Sequence, residues 1–199
     1  QRYFEEEISN EVNLSYSDNQ VTVTTDYPTL VYTLNSEGYA SQCVYSLSSQ
    51  NRIYQFSYSA EGYLTGIVEN IDNTEYSSTS LTYENGDITS ISSKMNGLEN
   101  KFIYEPGEES STYHLPCLGL LEIHPLTFHI EALYAGLLGK DPRHFTIRSC
   151  PAGSNDEKTI YSYEFDKKGN PSRMICQTTY AGGQASYYPY TRNISVSFE

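Results

Sequence analysis

Hydrophobic and polar residues alternate along most of this chain. Tyr54, Phe56 and Tyr58 are separated by single polar residues, and Val21 and Val23 follow the same pattern nearer the start. A period of two is that of a β-strand with one buried face, and aromatic and β-branched residues favour such a surface. The pattern predicts a protein built mainly from β-strands.

Five of these strands run into a polar turn that ends in glycine. Gly38, Gly62 and Gly86 follow one another at intervals of 24 residues. Glycine reaches the positive φ angles that tight hairpin turns require. We therefore predict an antiparallel meander of repeated β-hairpins, about 24 residues each, forming one twisted sheet or an open barrel. The five copies lie at residues 32–39, 56–63, 81–87, 102–107 and 163–170.

The strand after each turn departs from simple alternation. Leu64 and Ile67 are three positions apart, so they do not fall on one face of a regular strand. A bulge after the turn would reconcile them, and so would a strand buried on both faces. The fourth copy differs further, because no comparable strand follows residues 105–107, and that hairpin is expected to be incomplete.

A different period marks the segment between the fourth and fifth copies. Apolar residues recur at helical spacing from Leu126 onward, and Pro142 lies just beyond Gly139. This favours one amphipathic helix of about three turns around residues 126–139, closed by Gly139. We predict one repeat-built domain over 1–199, comprising a leading segment 1–20, hairpin repeats 21–112, a helical insert 113–158 and closing hairpins 159–199.

Charge excludes several classes of partner. Twelve basic against 25 acidic residues give a net charge of −13, which argues against a nucleic acid or an anionic membrane surface, since both need Lys and Arg. No apolar run reaches the roughly 18–20 residues of a membrane-spanning helix. Twenty tyrosines supply much of the apolar area for a core.

Two groups of motifs carry a family resemblance. The hairpin segments at 62–67 and 83–91 resemble the YD hairpin repeats of Rhs-type proteins. A closer resemblance is to the exported Bacteroidetes lipoproteins of domain of unknown function 4595. It covers roughly residues 20–199, and its most specific part is the segment 134–140 followed by 161–166.

This resemblance implies an extracytoplasmic protein, in the periplasm or anchored to the outer membrane at the cell surface. Such lipoproteins carry a signal and a tether, which are missing before Gln1, so a lipid anchor is expected in the uncleaved precursor. The resemblance carries over no catalytic or binding residues.

Cysteine and histidine are the residues that most often signal a metal site. Two interpretations of the cysteines stay open: buried thiols, or a disulfide of which Cys117–Cys150 is the best candidate pair. All four histidines fall within residues 114–144, but His124 and His129 are five apart and match no zinc framework. We therefore predict no metal and no cofactor. The remaining members of these sets are Cys43, Cys176, His114 and His144.

Acidic residues beside turns are the other candidates for chemistry. Paired carboxylates can perform acid–base hydrolysis, but acids are common in turns and are expected to be solvated there. No Gly-x-Ser-x-Gly elbow occurs in the chain. The acids in question are Glu61, Asp87, Glu105 and Asp166.

Five tyrosines, Tyr32, Tyr58, Tyr83, Tyr104 and Tyr163, sit at equivalent repeat positions and are expected to be structural. Four others, which lie outside the repeat, are our candidates for ligand contact, because tyrosine offers rigid amphipathic surface to sugars and proteins. They are Tyr113, Tyr187, Tyr188 and Tyr190.

These observations favour a non-catalytic, monomeric cell-envelope module that binds a glycan or a protein. One alternative is a hydrolase that uses the histidines of the insert with a turn carboxylate. Another is a structural scaffold at the cell surface.

Overall fold

The computed structural model describes residues 12–24, 29–47, 50–110, 120, 123–154, 156–168, 171–179 and 190–195. Within these residues thirteen antiparallel strands form one open sheet, in which every strand pairs with its neighbours in sequence and β1 and β13 form the two edges. The strands are β1 Asn13–Ser17, β2 Gln20–Thr24, β3 Thr29–Leu34, β4 Ala40–Leu47, β5 Gln50–Tyr58, β6 Leu64–Ile71, β7 Thr74–Glu84, β8 Asp87–Met95, β9 Leu98–Ser110, β10 His144–Pro151, β11 Lys158–Phe165, β12 Pro171–Thr179 and β13 Tyr190–Ser195.

This architecture confirms the predicted meander of hairpins. Gly38, Gly62 and Gly86 lie in turns with φ between +85° and +92°, as the 24-residue spacing required. At the opposite end of the sheet, strands are joined by two-residue turns such as Asn96–Gly97, with φ of +51° and +79°. The sequence interpretation did not identify that second set of turns.

A bulge begins the second strand of four hairpins and explains the spacing of Leu64 and Ile67. Tyr58 pairs with Leu64 but Ser57 pairs with Gly66, so the residue between them is the extra one. The bulge turns Leu64 and Ile67 toward the same face, where both are buried. Each bulge residue has a hydroxyl that donates to a carbonyl of the facing strand; they are Ser41, Thr65, Thr89 and Ser172.

The predicted turn at residues 105–107 is wrong, because they lie inside β9 and pair with β10. Pro106 occupies a shift in register, where a residue without a backbone N–H is tolerated. A Cβ on Gly107 would lie 2.7 Å from Cγ2 of Ile147, so glycine here lets β10 approach. The missing partner strand of the fourth hairpin is therefore β10, which follows the insert.

The predicted helix exists but is much shorter than residues 126–139. A 3-10 helix covers Leu126–Phe128, and α1 covers only Ile130–Tyr134. Among the described residues no helix has both the length and the apolar character needed to cross a bilayer.

Gly136, with φ +69°, ends α1 before Gly139 is reached. Its N–H donates to the carbonyl of Leu133, and the N–H of Leu137 donates to that of Ala132. This pair of bonds is the Schellman arrangement that closes a helix at a left-handed residue. The apolar period continues past Gly136 because Leu137 and Leu138, which lie in the turn that follows α1, are both buried.

The predicted segments need two corrections within the described residues. The leading segment 1–20 contains β1, and the helical insert 113–158 contains β10. We use "the insert" below for the residues between β9 and β10, of which 120 and 123–143 are described. The prediction of a single domain stays a prediction.

One face of the sheet carries the buried side chains and is covered by the insert; we call it the covered face. Neighbouring hairpins are joined along its edge by ring pairs, with centroids 5.3 Å apart for Tyr39–Tyr58 and 4.9 Å for Tyr63–Tyr83. In each pair the tyrosine after one turn stacks on the tyrosine before the next turn. This explains why tyrosine recurs at fixed places in the repeat.

Candidate functional site

The insert is fixed to the covered face by the carboxylate of Glu69, a β6 residue with no exposed surface. Nε2 of His124 lies 2.6 Å from Oε2, and the hydroxyl of Ser77 donates to the same oxygen over 2.8 Å. Arg52 and the hydroxyl of Tyr54 both donate to Oε1 over 3.1 Å. Four donors thus satisfy one buried carboxylate, as burial of a charge requires.

These bonds set the charge state of Glu69. Burial alone would raise the pKa of its carboxyl, but hydrogen bonds from His124 and Ser77 outweigh burial and lower the pKa. Glu69 is therefore ionised, and Arg52 contributes the nearest permanent positive charge.

The arrangement of Ser77, His124 and Glu69 is not that of a nucleophilic triad. In such a triad the serine hydroxyl bonds to the imidazole, which removes its proton. Here Ser77 and His124 bond to the same oxygen of Glu69, so neither activates the other. The geometry makes this cluster an anchor for the insert.

His129 is the other described histidine of the insert, and unlike His124 it has no exposed surface. Its Nδ1 lies 2.8 Å from the hydroxyl of Tyr32, and the rings of Tyr54 and Phe56 stand almost perpendicular to it. Burial lowers the pKa of His129 to about 3, so the ring is neutral at physiological pH. Nε2 has no hydrogen-bond partner among the described residues, and the centroid of the Tyr54 ring lies 4.4 Å from that of the imidazole in an edge-to-face arrangement.

Asp87 was expected to be a solvated turn acid, and that expectation is wrong. It is buried, and its carboxylate accepts from the backbone N–H of His144 while lying 2.8 Å from the ring nitrogen Nδ1 of the same residue. Asp87 occupies the repeat position of Tyr39 and Tyr63. The Asp87–His144 pair therefore stands where the other hairpins have a tyrosine pair, at the point where the insert rejoins the sheet. Glu61, Glu105 and Asp166 are exposed as expected.

Residues 137–143, which we call the strap, cross the turns of three successive hairpins. The carbonyl of Leu137 accepts from Ala40, the N–H of Lys140 donates to Gly62, and the N–H of Arg143 donates to Gly86, over 2.7–2.9 Å. Each hairpin repeat thus offers one backbone group to the strap.

Beyond the insert, the covered face holds a pocket of about 410 Å³ between β9 and β12. Its floor is aromatic, formed by Phe102, Tyr104 and Tyr161. Hydroxyls line its walls, with Ser149 and Tyr161 3.0 Å apart and Thr159 and Thr178 2.9 Å apart. Further lining residues are Asn100, Ile123, Cys150, Pro151, Glu157, Lys158 and Thr179.

This β9–β12 pocket has the chemistry of a small-ligand site. Such sites are concave, largely aromatic, and carry a few hydroxyls or amides that orient the ligand. The sequence interpretation missed it, because its residues come from four strands and no motif joins them. The Glu69 cluster did have a sequence signal. Glu69 lies two positions after Ile67, so the alternation of β6 places this acid on the buried face.

The four tyrosines predicted from sequence to contact a ligand cannot be placed relative to this pocket. Tyr113, Tyr187 and Tyr188 lie outside the described residues. Tyr190 begins β13, and its side chain lies outside the described part as well.

The cysteines and histidines form no shared site among the described residues. Cys43 and Cys150 are free thiols, Cys176 is buried, and burial raises the pKa of Cys43 to about 12. Cys117 and His114 lie outside the described residues. No group of three or more His, Cys, Asp or Glu within the described part is placed to share a metal ion.

Two solved structures share this fold. A porin-like protein from Bacteroides uniformis ATCC 8492 is 26% identical with a TM-score of 0.86, over 96% of this chain and 79% of that one. A porin-like protein from Bacteroides vulgatus ATCC 8482 is 10% identical with a TM-score of 0.66, over 95% of this chain and 86% of that one.

No curated protein matches the chain. A family model, described as Domain of unknown function (DUF4595) with porin-like fold, matches residues 2–173. The resemblance to domain of unknown function 4595 is thereby confirmed, over residues 2–173 where we predicted roughly 20–199. The chain belongs to this family of porin-like fold.

Proposed function

We propose that this protein is a non-catalytic binding module of the bacterial cell envelope, and that the β9–β12 pocket holds the end of a neutral glycan. The observation that carries the proposal is an aromatic floor bordered by paired hydroxyls in one concavity. Tyrosine rings pack against the apolar face of a sugar, and hydroxyls bond to its rim.

The pocket is better suited to bind a glycan than to bind the surface of another protein. A specific protein interface covers roughly 800 Å² on each partner, whereas this concavity of about 410 Å³ has the size of a small-ligand site. Capture of a peptide side chain would be the alternative outcome of a ligand screen.

The envelope location is supported by the family and by the porin-like relatives from two Bacteroides species. We extend it to an exported lipoprotein, tethered in the periplasm or at the outer membrane, and to a hairpin repeat of the YD type. Export can be tested by globomycin treatment of cells that express the full precursor, which would accumulate unprocessed if a lipid is attached.

The contacts that the described imidazoles already make support a non-catalytic role. His124 and His144 each pair with a buried carboxylate that also binds a second group, and His129 is enclosed by rings. A hydrolase would need one of these imidazoles to reach a substrate. Hydrolysis of any glycan that is lost in His144→Gln would overturn this part.

The binding site can be tested with an array of neutral oligosaccharides and titration calorimetry on any hit. Thr178→Trp fills the pocket, and Thr82→Trp makes the same change at an exposed position of β7. We expect Thr178→Trp to weaken binding at least about tenfold, equivalent to about 1.4 kcal/mol, and Thr82→Trp to bind as wild type. Equal affinity in both variants, or no bound glycan on the array, would contradict the proposal.

A further inference from the structure

A second concavity lies against the strap and shares no lining residue with the β9–β12 pocket. It spans the turns of the second and third glycine hairpins and the end of β9, with a volume of about 880 Å³. We call it the strap groove. It is lined by Ser59, Glu61, Tyr63, Thr65, Tyr83, Asn85, Gly86, Ser110, Lys140, Asp141, Pro142 and Arg143.

The wall of the strap groove contains a stacked aromatic pair. The rings of Tyr63 and Tyr83 lie 4.9 Å apart at 29° and are both partly exposed. A Cβ added to Gly86 would lie 2.7 Å from the hydroxyl oxygen of Tyr63. Glycine at this position therefore allows the Tyr63 ring to lie against the turn. The pair forms a flat, rigid surface of the kind on which a sugar ring packs.

Two cations border this aromatic pair. Lys140 extends over the second hairpin turn, where its Cε would lie 3.5 Å from a Cβ on Gly62, and Arg143 lies over the third, at Gly86. Both side chains are exposed, and neither forms an ion pair with any other described residue. The chain carries only 12 basic residues against 25 acidic ones, so a concavity lined by two cations and two acids is less acidic than the chain as a whole.

Their positions are fixed by the main chain. The backbone N–H groups of Lys140 and Arg143 bond to the turn carbonyls of Gly62 and Gly86, so the strap holds both side chains at the border of the groove. Holding two cations in place lowers the entropy lost when they bind an anion. A guanidinium also offers parallel N–H donors that fit a carboxylate or a sulfate.

The groove also contains two acids. The pKa of Glu61 is lowered, first by a hydrogen bond with Ser59 and to a smaller extent by the charge of Lys140. Carboxylates such as Glu61 and Asp141 accept hydrogen bonds from hydroxyls. A ligand that fits this lining therefore carries hydroxyl groups, an apolar ring face and an anionic group together.

We propose that the strap groove binds an acidic saccharide, with its ring face on Tyr63 and Tyr83 and its carboxylate or sulfate on Lys140 and Arg143. This site goes beyond the proposed function, since it is distinct from the β9–β12 pocket and takes a ligand of different charge.

The test uses four probes and calorimetric titration: oligogalacturonate, the same oligomer fully methyl-esterified, a sulfated oligosaccharide, and an uncharged one. Lys140→Gln/Arg143→Gln removes both cations but keeps the backbone bonds of the strap. Lys94→Gln/Lys101→Gln makes the same change in net charge at exposed positions of β8 and β9. We expect about a tenfold loss of acidic-probe affinity in the first variant and less than about twofold in the second, since exposed charge pairs are each worth up to about 1 kcal/mol.

The aromatic contribution is tested by Tyr63→Leu against Tyr63→Phe. Leucine removes the ring and should weaken binding several-fold, whereas phenylalanine keeps the ring and should bind as wild type. Preference for oligogalacturonate over the sulfated probe, or the reverse, identifies which anion the cations hold.

Three results would overturn the proposal. They are equal loss in the two charge variants, equal affinity for the acid and its ester, and no binding of either acidic probe at millimolar concentration. Thr178→Trp separates this site from the proposed function. It should leave acidic-probe affinity unchanged, and loss of that affinity would place the ligand in the β9–β12 pocket instead.

Discussion

The covered face of the sheet has two regions with the same strand chemistry and opposite outcomes. Under the insert, between β2 and β8, core side chains and one anchored carboxylate fill the space against it. Beyond the insert, between β9 and β12, tyrosines and hydroxyls of similar kind surround an open concavity. The covering segment therefore decides which part of a uniform sheet becomes core and which part can receive a ligand.

The two regions also differ in their polar groups: those under the insert have the residue types of catalytic groups, and those beyond it are accessible to a ligand. Glu69, Asp87 and His129 have the residue types of catalytic groups, yet all three are buried and bond the insert and its junction with β10 to the sheet. The hydroxyls of Thr159 and Thr178 carry no catalytic signature but border the pocket. Burial rather than residue type distinguishes the two sets.

The largest expected effect comes from removing the anchor. Glu69→Ala leaves His124, Ser77 and Tyr54 without their acceptor in a buried place, and we expect a loss of about 3–5 kcal/mol in the free energy of unfolding. Urea denaturation measures it. Glu84→Ala, at the exposed end of β7, is the matched control and should change stability by less than about 0.5 kcal/mol. A similar small loss for both variants would mean that the insert is held by its apolar contacts alone.

The next effect concerns the close contact between strap and hairpin. A Cβ on Gly139 would lie 2.6 Å from the carbonyl of Gly62 and 3.1 Å from the ring of Tyr58, and its φ is +89°. Gly139→Ala therefore adds steric overlap to backbone strain, and we expect a loss of about 2–4 kcal/mol.

Gly136→Ala is the control for that substitution. Gly136 also has a positive φ, of +69°, but a Cβ there would meet open space. Strain alone should cost about 1 kcal/mol. Chemical denaturation of both variants gives the difference, and equal losses would show that the strap moves away from the turn without penalty.

His129 gives a third effect, which depends on pH. Its pKa is lowered from the ordinary value of 6.5 to about 3 in the folded protein, so between these values only the unfolded chain binds the proton. Stability should therefore be full above pH 6.5 and fall by about 1.4 kcal/mol for each unit below it, until about pH 3. This acid sensitivity belongs to the covered region.

His129→Phe isolates that dependence, because a phenyl ring fits the same aromatic surroundings and does not titrate. The variant loses the bond with Tyr32 and should be less stable at pH 7, by about 1–2 kcal/mol. Between pH 6.5 and 5 its stability should fall less steeply than that of the wild type. Parallel curves would show that His129 takes up a proton without unfolding.

Sequence reasoning predicted the sheet because strand and turn chemistry are local. The alternation around Phe56 and the glycine at Gly62 determine a hairpin through neighbouring residues only. The length of α1 was missed since two glycines, Gly136 and Gly139, both suit a helix end and only tertiary contacts choose between them. The role of Asp87 was missed because its partner His144 is 57 residues away.

The smallest expected effect is a difference in stability between two variants, each of which loses one hydroxyl, one in each region. Ser77→Ala removes a donor from a carboxylate with no exposed surface, and we expect it to cost about 1–3 kcal/mol. Thr178→Val removes a hydroxyl from the β9–β12 pocket, where water can replace it beside Thr159, and should cost less than about 0.5 kcal/mol. Denaturation midpoints of the two variants test this difference. Equal costs would mean that the pocket is as closed to water as the region under the insert, and the distinction between core and binding region would fail.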